Sequence, residues 1–273
     1  MENGNCATSW NCAKGVLPPP GYQKFWSLLE NILHRPGQQY GALLSRAAKD
    51  VDINCLKTLI ANLGLPAYSD GSQMLQDSRK SRTPPAYWME PLDETMEPDT
   101  LHQTISRFQN LGTSSFLFRA ERNAALETIL NIAAKHRQCV FFLICRAGIC
   151  CQAHLEDMTA LGNVIPLSGY EDLPAMAASL KQAGILFGLH RRYCEIESLQ
   201  AEETLLHQCI EMGCFLGVYE GTRHDACSRQ DLVYYAKLQE IRCSGTQEIF
   251  LADLWRDREA VQNLLLEQRS GGT

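Results

Sequence analysis

Twelve of the 273 residues are cysteine, enough thiol to supply a metal or cluster site several times over. They stand at Cys6, Cys12, Cys55, Cys139, Cys145, Cys150, Cys151, Cys194, Cys209, Cys214, Cys227 and Cys243. No two of them form C-x-x-C, so the commonest local signature of a zinc or thiol-redox site is missing. Cys145, Cys150 and Cys151 are the densest group; their spacing matches no common ligand set but leaves a reactive or metal-binding thiol open. Several cysteines lie in apolar runs, and Cys139, Cys145, Cys194 and Cys214 also read as small buried hydrophobes. Glu90, Asp93, Glu94, Glu97 and Asp99 form an acidic stretch. It reads as a solvated loop running into a helix start, where carboxylates suit the helix dipole, or as a weak hard-cation site. Arg119 and Arg122 flank Glu121, and Arg191 and Arg192 follow His190. If the four arginines converge they form a positive site for an anionic ligand; otherwise each forms a surface ion pair. There is no G-x-S-x-G, no H-E-x-x-H and no phosphate loop. No catalytic residue and no metal ligand set is therefore assigned.

The elements that hold these residues change character along the chain. Residues 1–20 read as a flexible tail ending in Pro18, Pro19 and Pro20. Residues 21–67 read as a helical segment. Phe25, Leu28, Leu29, Ile32 and Leu33 recur at helical spacing, then Leu43, Leu44 and Ala47, then Leu56, Leu59, Ile60 and Leu63, with Gly64 and Pro66 as the stop. Residues 68–85 are polar and read as a linker. From residue 86 short apolar strands alternate with helices. Strands are expected at 86–90, 115–118, 139–145, 164–167, 185–190, 215–219 and 248–252. Leu101, Ile105, Phe108 and Leu111 make one helix face, and Leu126, Ile129, Leu130 and Ala133 another. The 139–145 run is apolar on both faces, as in a parallel strand covered by helices. Strand–helix alternation implies right-handed crossovers and a parallel α/β sheet. A last amphipathic helix is expected around Val261, Leu264 and Leu265.

Composition narrows the class. An apolar content of 45% with 21% charged residues is that of a globular domain with a sizeable core. A net charge of −6 gives no basic footprint for nucleic acid. The longest apolar run, 139–145, is too short for a membrane span. Residues 1–15 carry no apolar signal-peptide region, so a cytoplasmic location is expected and a disulfide framework is not.

Several segments resemble the radical S-adenosylmethionine (radical SAM) superfamily, in the branch that includes the adenosylhopane synthases. They are Ala86-Tyr87-Trp88-Met89-Glu90-Pro91, Leu161-Gly162-Asn163-Val164-Ile165-Pro166, Leu180-Lys181-Gln182-Ala183-Gly184-Ile185-Leu186-Phe187-Gly188, Glu211-Met212-Gly213-Cys214 and Ile249-Phe250-Leu251-Ala252-Asp253-Leu254-Trp255, in the family's order. The resemblance implies that residues 86–273 form a partial (β/α) barrel behind the helical segment. Such a barrel carries an iron–sulfur cluster and S-adenosylmethionine at its mouth, the cluster held by C-x-x-x-C-x-x-C after the first strand.

That loop is absent: Leu92-Asp93-Glu94-Thr95-Met96-Glu97-Pro98 follows the first strand, and no cysteine lies between Cys55 and Cys139. Of the family's Gly-Gly-Glu-Pro turn only Glu121 remains, between bulky cations. Gly148 survives from the turn after the third strand, and Ser168 and Gly169 from the fourth region. Losses fall at the mouth while the strands are kept. The expectation is a degenerate member, a pseudoenzyme without cofactor that acts as a binding partner or scaffold. Its partner would be an active radical SAM paralogue or an anionic ligand held by Arg119, Arg122, Arg191 and Arg192. The alternative is a radical SAM enzyme whose cluster uses atypical ligands: Cys6, Cys12, or Cys145, Cys150 and Cys151.

Overall fold

The computed structural model describes residues 41–68, 74, 75, 77, 87–150, 152–221, 229–244 and 247–260. The expected tail, the 21–40 helix, Cys6, Cys12, Cys151, Cys227 and the helix after residue 260 lie outside the described residues. In chain order come α1 (Gly41–Asp50), α2 (Ile53–Tyr68), β1 (Met89–Pro91), α3 (Pro98–Gln109), β2 (Ser115–Ala120), α4 (Asn123–Lys135) and β3 (Val140–Cys145). Then follow α5 (Gln152–Leu161), β4 (Val164–Ser168), α6 (Leu173–Gln182), β5 (Gly188–Arg192), α7 (Leu199–Met212), β6 (Leu216–Glu220), α8 (Arg229–Ser244) and β7 (Phe250–Asp253). All seven strands pair in parallel with their sequence neighbours, in the order β1 to β7. The result is a half-barrel with helices between its strands, so the expected α/β partial barrel with helices ahead of it is what the chain forms.

Each strand sorts its side chains by the two-residue pleat. Phe116, Phe118, Phe141 and Leu143 point to the helices, in one large core with Leu101, Ile105, Leu126 and Ile129. The Phe116 and Phe118 rings lie 5.9 and 6.2 Å from that of Phe141. Burying each such ring contributes about 1.5–3 kcal/mol. The alternate residues, including Leu117, Phe142, Ile165, Leu167 and Val218, face the concave lumen.

The described part of the helical segment packs against one end of the lumen. α1 and α2 lie against the N-terminal ends of the strands: Asn62 Nδ2 donates to the carbonyls of Arg137 and Cys139, and the Asp52 N–H to that of Gly184 (2.8 Å). Arg46 donates to the Cys214 and Glu248 carbonyls and lies over the Phe215 ring. Gly184 makes this contact feasible. Its φ is +66°, and a Cβ there would sit 2.9 Å from the Asp52 nitrogen. α2 runs on to Tyr68, past the expected stop at Gly64 and Pro66, since these residues penalise a last helical turn without forbidding it. Within the expected linker, Leu75 is helical and buried.

Among the described residues no ladder joins β7 to β1; side chains hold the two edges instead. Arg258, in the helical turn after β7, donates from Nε to the Met89 carbonyl (2.8 Å) and from Nη2 to Glu90 (2.6 Å). Its guanidinium lies over the Tyr87 ring at 3.8 Å, and Trp88 Nε1 donates to the Arg258 carbonyl. Burial pushes the Glu90 carboxyl up, and the charge of Arg258 opposes it.

Candidate functional site at the barrel mouth

The C-terminal ends of the strands border a cavity of about 450 Å³ between the two sheet edges. Its polar lining comes from Asp93, Glu94, Thr95, Arg119, Glu121 and Glu220, and its apolar walls from Leu92, Leu117, Leu254 and Trp255. The pleat decides which mouth residues reach it. On β2 Leu117 faces the lumen, so Arg119 does too. On β5 Leu189 packs into the helix layer, so His190 faces inward and Arg191 outward.

Arg119 crosses the lumen. Its Nη2 donates to Glu220 Oε2 on β6 at 2.5 Å, and His190 Nε2 lies 3.2 Å from the same oxygen. This bridge joins strands that are four apart in the sheet. Burial pushes the Glu220 carboxyl up, but its hydrogen bonds to His190 and Arg119 and their charges outweigh that, leaving its pKa at about 2.

The expected positive mouth is not there. Arg119 is matched by Glu220, and Arg191 donates to the buried Glu202 of α7 at 2.9 Å. Arg192 pairs with Glu195 three residues on, at 2.6 Å. Arg191 and Arg192 are adjacent on one strand, so the pleat sends them to opposite faces. Arg122 is exposed at the start of α4. Among the described residues the mouth cavity has four carboxylates against Arg119. Glu121 forms no ion pair with Arg119 or Arg122; its backbone N–H donates to Glu94 (3.2 Å). The loop after β1 is a tight Asx turn, with Asp93 accepting from the Thr95 N–H and hydroxyl.

Gly148 is exposed in a single 3-10 turn, and space is open around both Gly148 and Gly169. The Gly169 carbonyl accepts from the Leu173 N–H at the start of α6. Ser168 is buried at the end of β4, on the face opposite Leu167. Cys145 packs into the helix-side core, with the partly buried Cys150 against it. The bond to Cys150 and burial both push the Cys145 thiol up, while the same bond lowers Cys150. Cys139 and Cys214 are buried, as expected, but Cys194 is exposed. It sits in the turn after β5, where its neighbour Tyr193 is the residue buried, in the helix-side core.

Sequence reasoning passed over two carboxylates, Glu202 and Asp253. Glu202 accepts from Arg191 and from the Tyr219 hydroxyl (2.6 Å), tying α7 to β5 and β6. Asp253 is 1% exposed and accepts from the Tyr193 hydroxyl, Arg256 and two backbone N–H groups. The parity of Tyr219 and Asp253 on their strands was the available signal. Among the described residues no three His, Cys, Asp or Glu side chains are grouped to hold a metal ion, and no helix is long and apolar enough to cross a membrane.

Fold and site together define a parallel α/β half-barrel with an ion-paired, acid-rich mouth. No protein-family model matches the sequence, and no curated protein does. Solved structures match it at low identity. A racemase from Streptomyces coelicolor A3(2) with bound magnesium is 12% identical over 97% of this chain and 72% of that one, with a TM-score of 0.42. Plasmodium falciparum HPPK-DHPS A437G is 10% identical over 68% of this chain, with a TM-score of 0.41; the match spans 46% of that longer chain. An L-Ala-D/L-Glu epimerase is 12% identical over 84% of this chain and 75% of that one, with a TM-score of 0.40. Likenesses this distant say nothing about a ligand or reaction in this chain.

Proposed function

We propose that the chain is a degenerate radical SAM-like protein that works by binding, as a partner or scaffold, and performs no radical chemistry. The observation that carries this reading is the Arg119–Glu220–His190 bridge. It crosses the mouth and ties up Arg119 and Glu220, where the resemblance puts the cluster and S-adenosylmethionine. Two further features support it. The loop after β1 is closed on itself by Asp93 and Thr95 and offers no thiolate. Cys145 and Cys150, ligands under the alternative reading, turn toward the helices. With four carboxylates against one arginine among its described residues, the mouth suits a basic segment of a partner better than the anionic ligand first expected. Anaerobic iron–sulfur reconstitution tests the proposal. The expected result is iron and sulfide far below stoichiometry, with no reductive cleavage of S-adenosylmethionine. A stoichiometric cluster together with that cleavage overturns it.

A further inference from the structure

We infer that Cys145 and Cys150 form a reversible thiol–disulfide site at the end of β3. Cys145 is the last residue of that strand, and one turn of 3-10 helix, Ala147–Ile149, leads straight to Cys150. The Cys150 N–H closes this turn on the Ala147 carbonyl (3.3 Å), and the two thiols are hydrogen-bonded to each other. Thiols already in contact need only side-chain rotation to reach S–S bonding distance. Cys209 and Cys214, also five residues apart, make a second hydrogen-bonded pair. Access separates the two pairs. Cys209 and Cys214 are both 0% exposed, and the bond to Cys209 together with burial pushes the Cys214 thiol far up. Cys145 is buried too, but Cys150 is only partly so, and the bond from Cys145 lowers its thiol against the effect of burial. The first pair therefore has one sulfur that a small oxidant reaches and a second held behind it, the arrangement of an attacking and a resolving cysteine.

The oxidant is a low-molecular-weight disulfide. The Cys150 thiolate attacks one of its sulfurs, the S–S bond breaks, and one small thiol leaves with the proton that Cys150 gave up. The Cys145 sulfur then attacks Cys150 in this mixed disulfide and passes its proton to the second leaving thiol. Two protein thiols are oxidised to one disulfide, and the small disulfide is reduced to two thiols. Excess small thiol runs the exchange backward, as in reversible redox sensing. Neither cysteine lines the mouth cavity, so this inference stands apart from the reading of the mouth.

The test incubates the reduced, native full chain with glutathione disulfide. The chain is then quenched in acid, unfolded, blocked with N-ethylmaleimide and digested with trypsin. Trypsin cuts after Arg146, so the new bond joins peptide 138–146 to peptide 147–181, and fragment ions name the two cysteines. A Cys145–Cys150 link that dithiothreitol reverses is expected, with Cys209 and Cys214 recovered as blocked thiols. Cys150→Ala should lose the link. Cys145→Ala should lose it and leave one glutathione on Cys150. Absence of the link in the native wild type overturns the inference. So does a link that survives in either variant, or oxidation of Cys209 and Cys214 to the same extent.

Discussion

Replacing Glu220 by Gln probes the bridge across the mouth. The substitution keeps size and hydrogen-bonding capacity and removes only the charge. In the folded chain the Glu220 pKa falls from the usual 4.5 to about 2, its bonds to His190 and Arg119 outweighing burial. At 1.36 kcal/mol per pKa unit this amounts to about 3 kcal/mol. The Arg119 side chain is 46% exposed, so solvent screening reduces the expected loss to about 2 kcal/mol. Because the folded pKa is depressed, this stability is fully present above pH 4.5 and is lost as pH falls toward 2. Urea unfolding of wild type and Glu220→Gln at pH 7 and at several values down to pH 3 is the assay. The gap between the two should be about 2 kcal/mol at pH 7 and narrow below pH 4.5. Equal stability at pH 7, or a gap that does not change with pH, refutes the bridge as a stabilising charge contact.

Three more outcomes follow from named contacts. Arg258→Ala should destabilise the chain by about 3 kcal/mol in urea, because it strands the buried Glu90 carboxylate, and Glu90→Gln in the same chain should recover part of the loss. Gly184→Ala should cost at least about 1–2 kcal/mol by thermal or urea unfolding, since it combines φ +66° with contact against Asp52; an unaltered midpoint would contradict that contact. Iodoacetamide mapping at neutral pH should label Cys194 in the native chain and Cys55 and Cys139 only after unfolding, burial having pushed those thiols to about 11 and 12. Raised thiol pKa values also set a sign. Their contribution to stability is full below pH 9 and is lost as pH rises toward 12.

Local pattern carried the fold a long way. The runs around Ser115, Val140, Val164 and Leu216 are apolar and bounded by helical periodicity, and each became a strand within a few residues of its expected place. The helix faces of Leu101 and Ile105, and of Leu126 and Ile129, are buried as their spacing required. The mouth was less legible, for two physical reasons. Side-chain direction on a strand follows parity, so grouping Arg191 with Arg192 joined residues that face opposite ways. Ion-pair partners also lie far apart in sequence: Arg119 meets Glu220 101 positions away, a pairing set by sheet curvature and not by any local motif. The outward turn of Cys194 was hidden likewise, because one turn of 3-10 helix after β5 reassigns which residue is buried.

The central proposal is that the mouth, crossed by the Arg119–Glu220 bridge, binds neither cluster nor S-adenosylmethionine. Equilibrium dialysis of labelled S-adenosylmethionine against the chain, after anaerobic incubation with iron and sulfide, tests it most directly. The account predicts no saturable binding, and none gained when Cys145 and Cys150 are left intact and reduced. Saturable binding at one equivalent per chain, lost on Cys145→Ala or Cys150→Ala, would contradict it.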